Sequence, residues 1–406
     1  MVITEKNIGK HDDIEPNRSD IIIGAIAGDI IGSPYEFNSI KTTDFPLFSE
    51  RSRFTDDTVM TIAVLNALLE YQEQTNIGGL EGLLWDIREI DWEKLNQLFI
   101  TSMKAFGRAY PDAGYGSRFR KWLIGDSNEP YNSFGNGSAM RVSPVGALFC
   151  KPEIIDKVAE ASAATTHNHP EGIKGAKAVA DTIFHAKNRM LATKEKKDIK
   201  DIIKIKYGYN FYRTIDKIRP DYKFDATCQG SVPEAIICFF EGESFEEVVR
   251  LAVSLGGDSD TQASIAGAIA AARYGVPKKI KTEVIKRLPE DLLAVYYRFD
   301  EETNPEKLEQ KYLEFQTERK SKISPELYAK IIRYLEEWKS QTTPDIWAEL
   351  RETNPIDCHF TLGMWIRNTY LYKDEATQDE FRAAGYMEPD SMSEVILEIW
   401  IDELNK

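Results

Sequence analysis

The sequence predicts an all-α protein. Apolar residues recur at three- and four-residue spacing over long stretches, and no run alternates apolar and polar residues for long enough to make a dependable strand. With 406 residues, the chain also exceeds the roughly 250–300 at which a single core stops growing, so one large domain with an appendage is expected. Hydrophobic residues at 42% and charged residues at 29% are the composition of a soluble globular protein.

Along the chain, Met1 to Asp20 mixes charges of both signs and has no apolar stretch, which is not a signal peptide; residues 1–18 read as a flexible tail. The apolar run Ile21 to Ile31 is interrupted by Asp29 and falls short of the ~20 residues a spanning helix needs, so a cytoplasmic location is expected. Gly24, Gly28 and Gly32 share one helical face there, which allows close approach of another helix or of a ligand; tight helix packing is the preferred reading.

Further helices are predicted over Val59 to Tyr71, Ile154 to Ala164, Gly172 to Arg189, Phe245 to Leu255 and Thr261 to Tyr274. Lys194 to Lys206 reads as a solvated helix face. Gln229 to Glu234 reads as a turn and a helix start, with Pro233 near its first position. Composition shifts after Arg319: Ser321 to Lys406 holds nine Lys and Arg against seventeen Asp and Glu, and four of the seven Trp. That divides the chain into a domain over 19–319 and a small acidic, Trp-rich helical module over 320–406, whose aromatics supply the core a short domain otherwise lacks.

The formal net charge of −15 argues against a broad nucleic-acid or anionic-lipid surface, so any nucleotide must be gripped locally. Cys150, Cys228, Cys238 and Cys358 are scattered without a C-x-x-C pair and read as reduced thiols.

Two short segments carry the chemistry. Phe54-Thr55-Asp56-Asp57-Thr58 and Gly256-Gly257-Asp258-Ser259-Asp260-Thr261 each place two carboxylates and hydroxyls at the start of an apolar helix. Taken singly, each is an ordinary helix cap. Should the fold bring both starts together, four carboxylates would converge, and such a cluster stays ionised only with cations. Oxygen donors without imidazole or thiolate suit Mg²⁺ or Mn²⁺.

These two segments belong to an ordered set: Gly28 to Glu36, Thr55 to Thr58, Gly135 to Arg141, Thr166 to Gly172, and Leu255 to Thr261. The set resembles that of the ADP-ribosylglycohydrolases, a family that includes the glycohydrolase reactivating dinitrogenase reductase, and the resemblance covers about Ser19 to Asp300. It implies a compact multi-helix domain with two metal ions in a cleft. Carried over by position, it makes Thr55, Asp56, Asp57, Asp258, Asp260 and Thr261 metal ligands and Glu36 a ligand or gate. The general base is one of Asp57, Glu36 and Asp258.

The resemblance also assigns Gly135, Asn136, Gly137 and Ser138 to the diphosphate and ribose, and makes His167 a ligand-contacting or supporting residue. Gly114 and Gly116, flanking Tyr115, resemble a second binding loop of the family; His169 reads equally well as structural; Arg141 pairs either with the diphosphate or with a core acid.

The activity implied is hydrolysis of the N- or O-glycosidic bond linking ADP-ribose to a protein side chain, arginine favoured, or to a small conjugate. The alternative is an ADP-ribose-binding or immunity protein that neutralises an ADP-ribosylating partner, suggested by the aromatic C-terminal module. A zinc amidohydrolase using His167 and His169 would need alternating strands and helices, which the sequence lacks.

Overall fold

The computed structural model describes residues 16–75, 87–187, 195–303, 317–351 and 362–406. Cys358 and the expected tail up to residue 15 lie outside them. Among the described residues there are helices and no strands; a single antiparallel bridge joins Gly135 to Thr227. No described helix is long and apolar enough to cross a membrane.

The chain divides into two units, Met1–Pro305 and Glu306–Lys406. The first is built around two helices buried on nearly every side, α1 (Arg18–Gly32) and α13 (Ser259–Tyr274). Their contact explains the glycine stripe. A Cβ at Gly24 would overlap Ala271 and the Gly267 carbonyl, one at Gly28 the Ala263 carbonyl, and one at Gly32 the Ser259 carbonyl. Rising numbers on α1 therefore meet falling numbers on α13, so the pair is antiparallel. This brings the C-terminal end of α1 against the N-terminal end of α13, where the second acidic segment lies.

The remaining predicted helices appear with small shifts at their ends: α2 (Asp56–Thr75), α7 (Pro152–Ala164), α8 (Pro170–Lys187), whose expected end at Arg189 lies outside the described residues, and α12 (Phe245–Ser254). Helix α11 (Cys228–Glu241) differs from expectation. It begins five residues before Pro233, because Thr227 caps it by accepting from the Gly230 N–H, and Cys228, Ser231 and Val232 are already buried.

The second unit has its own core, formed by Leu327, Ile331, Leu335, Trp338 and Trp400 with residues from Ile366 to Leu404. Trp400 is fully buried and its indole N–H donates to the Ile331 carbonyl at 3.1 Å. Tyr334 and Tyr370 stack with ring centroids 4.1 Å apart. Arg319, the last residue before the composition shift, belongs here, pairing with Glu394 and Glu398 at 3.3 Å each.

Candidate active site

Asp29 organises the first acidic segment. It sits fully buried near the end of α1 and accepts four hydrogen bonds: from the Thr55 N–H at 2.8 Å, the Thr55 hydroxyl at 2.7 Å, and the N–H and hydroxyl of Thr58. The start of α2 is thereby pinned to α1. Burial, opposed by these donors, pushes the Asp29 pKa up to about 6. Sequence reasoning did not single Asp29 out as a site residue, although a carboxylate interrupting an otherwise apolar helix was the available signal.

With α2 pinned and α13 antiparallel to α1, the two acidic segments meet. One carboxylate oxygen from each of Asp29, Asp57 and Asp260 lies within 4.8 Å of the others, and the same holds for Glu36, Asp258 and Asp260. The Thr261 hydroxyl crosses between the segments to donate to Asp57 Oδ2 at 3.1 Å. Asp57 Oδ1 is buried without a hydrogen-bond partner, an arrangement that costs free energy unless a proton or cation occupies it. Burial and the neighbouring carboxylates push Asp57 and Asp260 well above the usual carboxylate range. Burial and then Asp258 bring Glu36 up to about 7.

The other expected ligands are placed differently. Asp56 lies outside both tight carboxylate groups and is half-buried, its pKa pushed up to about 8 by burial and by Asp29 and Asp258. Its backbone N–H donates to the Ala113 carbonyl at 2.9 Å, holding the loop of Gly114, with φ of +117°, against its carboxylate. The Thr55 hydroxyl already donates to Asp29, so a ligand at this position would use its remaining lone pair.

The Gly135–Ser138 turn is locked by its own side chains. Asn136 donates to Asp258 Oδ2 at 2.7 Å and to the Ser231 hydroxyl at 3.1 Å, and Ser138 donates to the Gly172 carbonyl at 2.7 Å. Asn136 thus orients a carboxylate of the cluster, and Ser231, read from sequence as architecture, supports it. Gly135 and Gly137 remain partly open, with His167 behind them: a Cβ at either would lie 3.5 or 3.3 Å from His167 Nε2. His167 is buried, its Nδ1 is 2.7 Å from the Thr166 hydroxyl, and burial with the charges of Arg141 and Arg118 holds its pKa well below the usual value. His169 Nδ1 accepts from the Glu171 N–H at the start of α8.

Arg141 pairs with no core acid among the described residues. It is fully buried and donates to the Ser162 carbonyl at 3.0 Å and to the hydroxyls of Thr165 and Thr166 at 3.2 and 2.9 Å. A guanidinium is drawn there by the carbonyl and hydroxyl oxygens gathered at the end of α7.

Residues 17–314 match the ADP-ribosylglycohydrolase family. The chain belongs to that family. ADP-ribosylglycohydrolases are hydrolases acting on ADP-ribosyl groups, and the carboxylate cluster lies wholly within the matched ADP-ribosylglycohydrolase region. An uncharacterised protein of Archaeoglobus fulgidus is 26% identical, over 66% of this chain and 90% of that protein. The ADP-ribosylhydrolase ARH3 of Homo sapiens is 26% identical over 63% of this chain and 84% of its own, and that of Mus musculus 24% over 63% and 83%. A solved chain of an ADP-ribosylglycohydrolase-related protein complex is 22% identical, with a TM-score of 0.46, over 70% of this chain and 98% of that one. Outside the ADP-ribosylglycohydrolase region, residues 328–404 match a domain of unknown function, DUF6794.

Proposed function

We propose that this protein hydrolyses the bond between ADP-ribose and a protein side chain, with arginine the favoured linkage, using divalent cations held by the carboxylate cluster. The observation that carries the reading is the meeting of Asp57, Asp258, Asp260 and Glu36 in one place, with Asp57 Oδ1 buried and unpartnered. The donor set consists of hard oxygens and suits Mg²⁺ or Mn²⁺. Asp57, Asp258 and Asp260 would hold the ions, with Thr55, Asp56 and Thr261 completing or bordering the set. Bound there, such cations supply water activation and a grip on the ribose hydroxyls.

The chain's own residues do the rest. Asn136 holds Asp258, Thr261 holds Asp57, and Asp29 holds Thr55, so the carboxylates are set before substrate arrives. The bond to the side-chain atom breaks, the leaving atom departing with the bonding pair and the ring carrying positive charge; water then adds to the anomeric carbon and gives its proton to the base. Asp57, Asp258 and Asp260 stabilise that charge. Among the three candidate bases, Asp57 is closed off and Asp258 is engaged by Asn136, whereas Glu36 is half-buried and able to pass a proton to solvent. Glu36 is therefore assigned as the base. Gly135 and Gly137, backed by His167, offer backbone to the diphosphate.

The test is ADP-ribose release from ADP-ribosyl-arginine by wild type and Asp258→Ala, each with Mg²⁺, Mn²⁺ or EDTA. Release by wild type with metal alone is expected. Equal release by Asp258→Ala, or release unchanged in EDTA, would overturn the reading.

A further inference from the structure

Two phenylalanines are exposed where the fold has no need of them. Phe37 is 87% exposed and Phe224 50% exposed, yet their rings stack on one another with centroids 6.2 Å apart and planes 19° from parallel. They come from segments 187 positions apart in the chain, so the pairing is a product of tertiary structure. Stacked rings left in water gain little stability for the fold and present π-faces and edges to whatever enters.

Their neighbours place the pair beside the carboxylate cluster. Phe37 directly follows Glu36, whose carboxylate groups with Asp258 and Asp260. Phe224 directly precedes Asp225, whose charge acts on Asp258 and whose carboxylate accepts from the Thr227 N–H at 2.8 Å. The two segments are tied together: Lys41 donates to the Tyr222 carbonyl at 2.6 Å and also to the Leu255 carbonyl, and Tyr222 donates its hydroxyl hydrogen to the Gly230 carbonyl at 2.7 Å. The Lys41 ammonium is thus committed to backbone carbonyls, while Glu36 and Asp225 adjoin the two rings in the chain, with Arg53 acting on Glu36 and Lys223 exposed before Phe224. An aromatic face flanked by carboxylates attracts a flat cation, by cation–π attraction over the ring and by charge at its edge.

We propose that Phe37 and Phe224 form an aromatic platform that receives the guanidinium of an ADP-ribosylated arginine, selecting that leaving group over small neutral ones. This rests on the proposed hydrolysis at the carboxylate cluster and assigns its specificity to two residues outside that cluster. The Gly135–Ser138 turn is bridged to Thr227, three residues beyond Phe224, through backbone groups alone, so ADP-ribose binding at the turn does not depend on either phenylalanine ring. A serine-linked conjugate, with no planar cation, gains nothing from the rings.

The experiment uses the full chain as wild type, Phe37→Ala, Phe224→Ala and Phe37→Tyr. Hydrolysis of ADP-ribosyl-arginine and ADP-ribosyl-serine is followed with Mg²⁺, and binding of ADP-ribosyl-arginine and of free ADP-ribose is titrated calorimetrically in EDTA. Each Ala variant is expected to raise KM for the arginine conjugate about fivefold, with kcat retained. Serine-conjugate hydrolysis and ADP-ribose affinity should stay at wild-type levels, and Phe37→Tyr should behave as wild type. Unchanged arginine kinetics, or an equal loss for both conjugates or for free ADP-ribose, overturns the platform. If wild type hydrolyses neither conjugate, the proposed reaction fails and the titrations decide the platform alone: a preference for ADP-ribosyl-arginine over ADP-ribose that both Ala variants lose supports it, and its absence in wild type overturns it.

Discussion

The hydroxyl of Thr261 donates to Asp57 Oδ2 at 3.1 Å, joining the starts of two helices that lie 204 residues apart in sequence. This bond spans the centre of the carboxylate cluster and fixes the rotamer of a residue whose other oxygen is unpartnered. Thr261→Val keeps the shape and removes the donor. Apparent affinity for Mg²⁺, measured from the metal dependence of hydrolysis and by direct titration, should fall about 10- to 100-fold. An unchanged affinity would mean that Thr261 acts as a helix-start residue only.

Asp29 is predicted to matter as much as any residue facing the cleft, although its oxygens are occupied by Thr55 and Thr58. Asparagine offers one acceptor oxygen in place of two and turns an amide donor toward Thr hydroxyls. Asp29→Asn should therefore lower kcat/KM roughly 10- to 100-fold and stability by about 2 kcal/mol. Hydrolysis assays with chemical denaturation test this; wild-type activity in the variant would place the control of α2 elsewhere.

Gly28→Ala should be among the most destabilising single changes available in the first unit. The added methyl meets the Ala263 carbonyl, which is helix backbone and unable to give way. A cost of about 3 kcal/mol or more is expected, since overpacking a rigid helix contact exceeds the usual cost in deformable cores. Thermal denaturation should show a clear loss relative to Gly116→Ala, whose Cβ meets nothing within 4 Å.

Glu398 should give the second unit a pH-dependent stability. Its carboxyl is 2% exposed, and burial, opposed by Arg319 and reinforced by Glu394, raises its pKa from 4.5 to about 7. A carboxyl with a raised folded pKa binds more protons folded than unfolded. Its contribution is therefore complete below about pH 4.5 and is lost as pH rises through about 7. The change is at most ~3 kcal/mol. Urea unfolding followed by tryptophan fluorescence should show this loss, and Glu398→Gln should flatten it; equal pH profiles for the two proteins would exclude Glu398 as the cause.

Much of the candidate site could be proposed from the sequence because its signals are local. Asp56 and Asp57 in the first turn of one apolar helix and Asp258 and Asp260 at the start of another lie in short segments whose residue types already specify helix starts and hard-oxygen donors. Pro233 misled because a proline suits a first turn, whereas here the cap at Thr227 and the burial of Val232 start the helix earlier.

The sequence by itself determined an all-helical chain, the helix starts that bear the acids and a C-terminal segment rich in tryptophan, since periodicity and capping act over a few residues. Only the tertiary structure decided that Asp29 is the residue pinning α2, that Asn136 is tied to Asp258, and that Arg141 serves the end of α7. Each of these partners lies between 21 and 122 positions away. Such pairings are chosen by the way α1 packs antiparallel on α13 through glycine contacts too close for a Cβ, and that packing minimises free energy over the whole core.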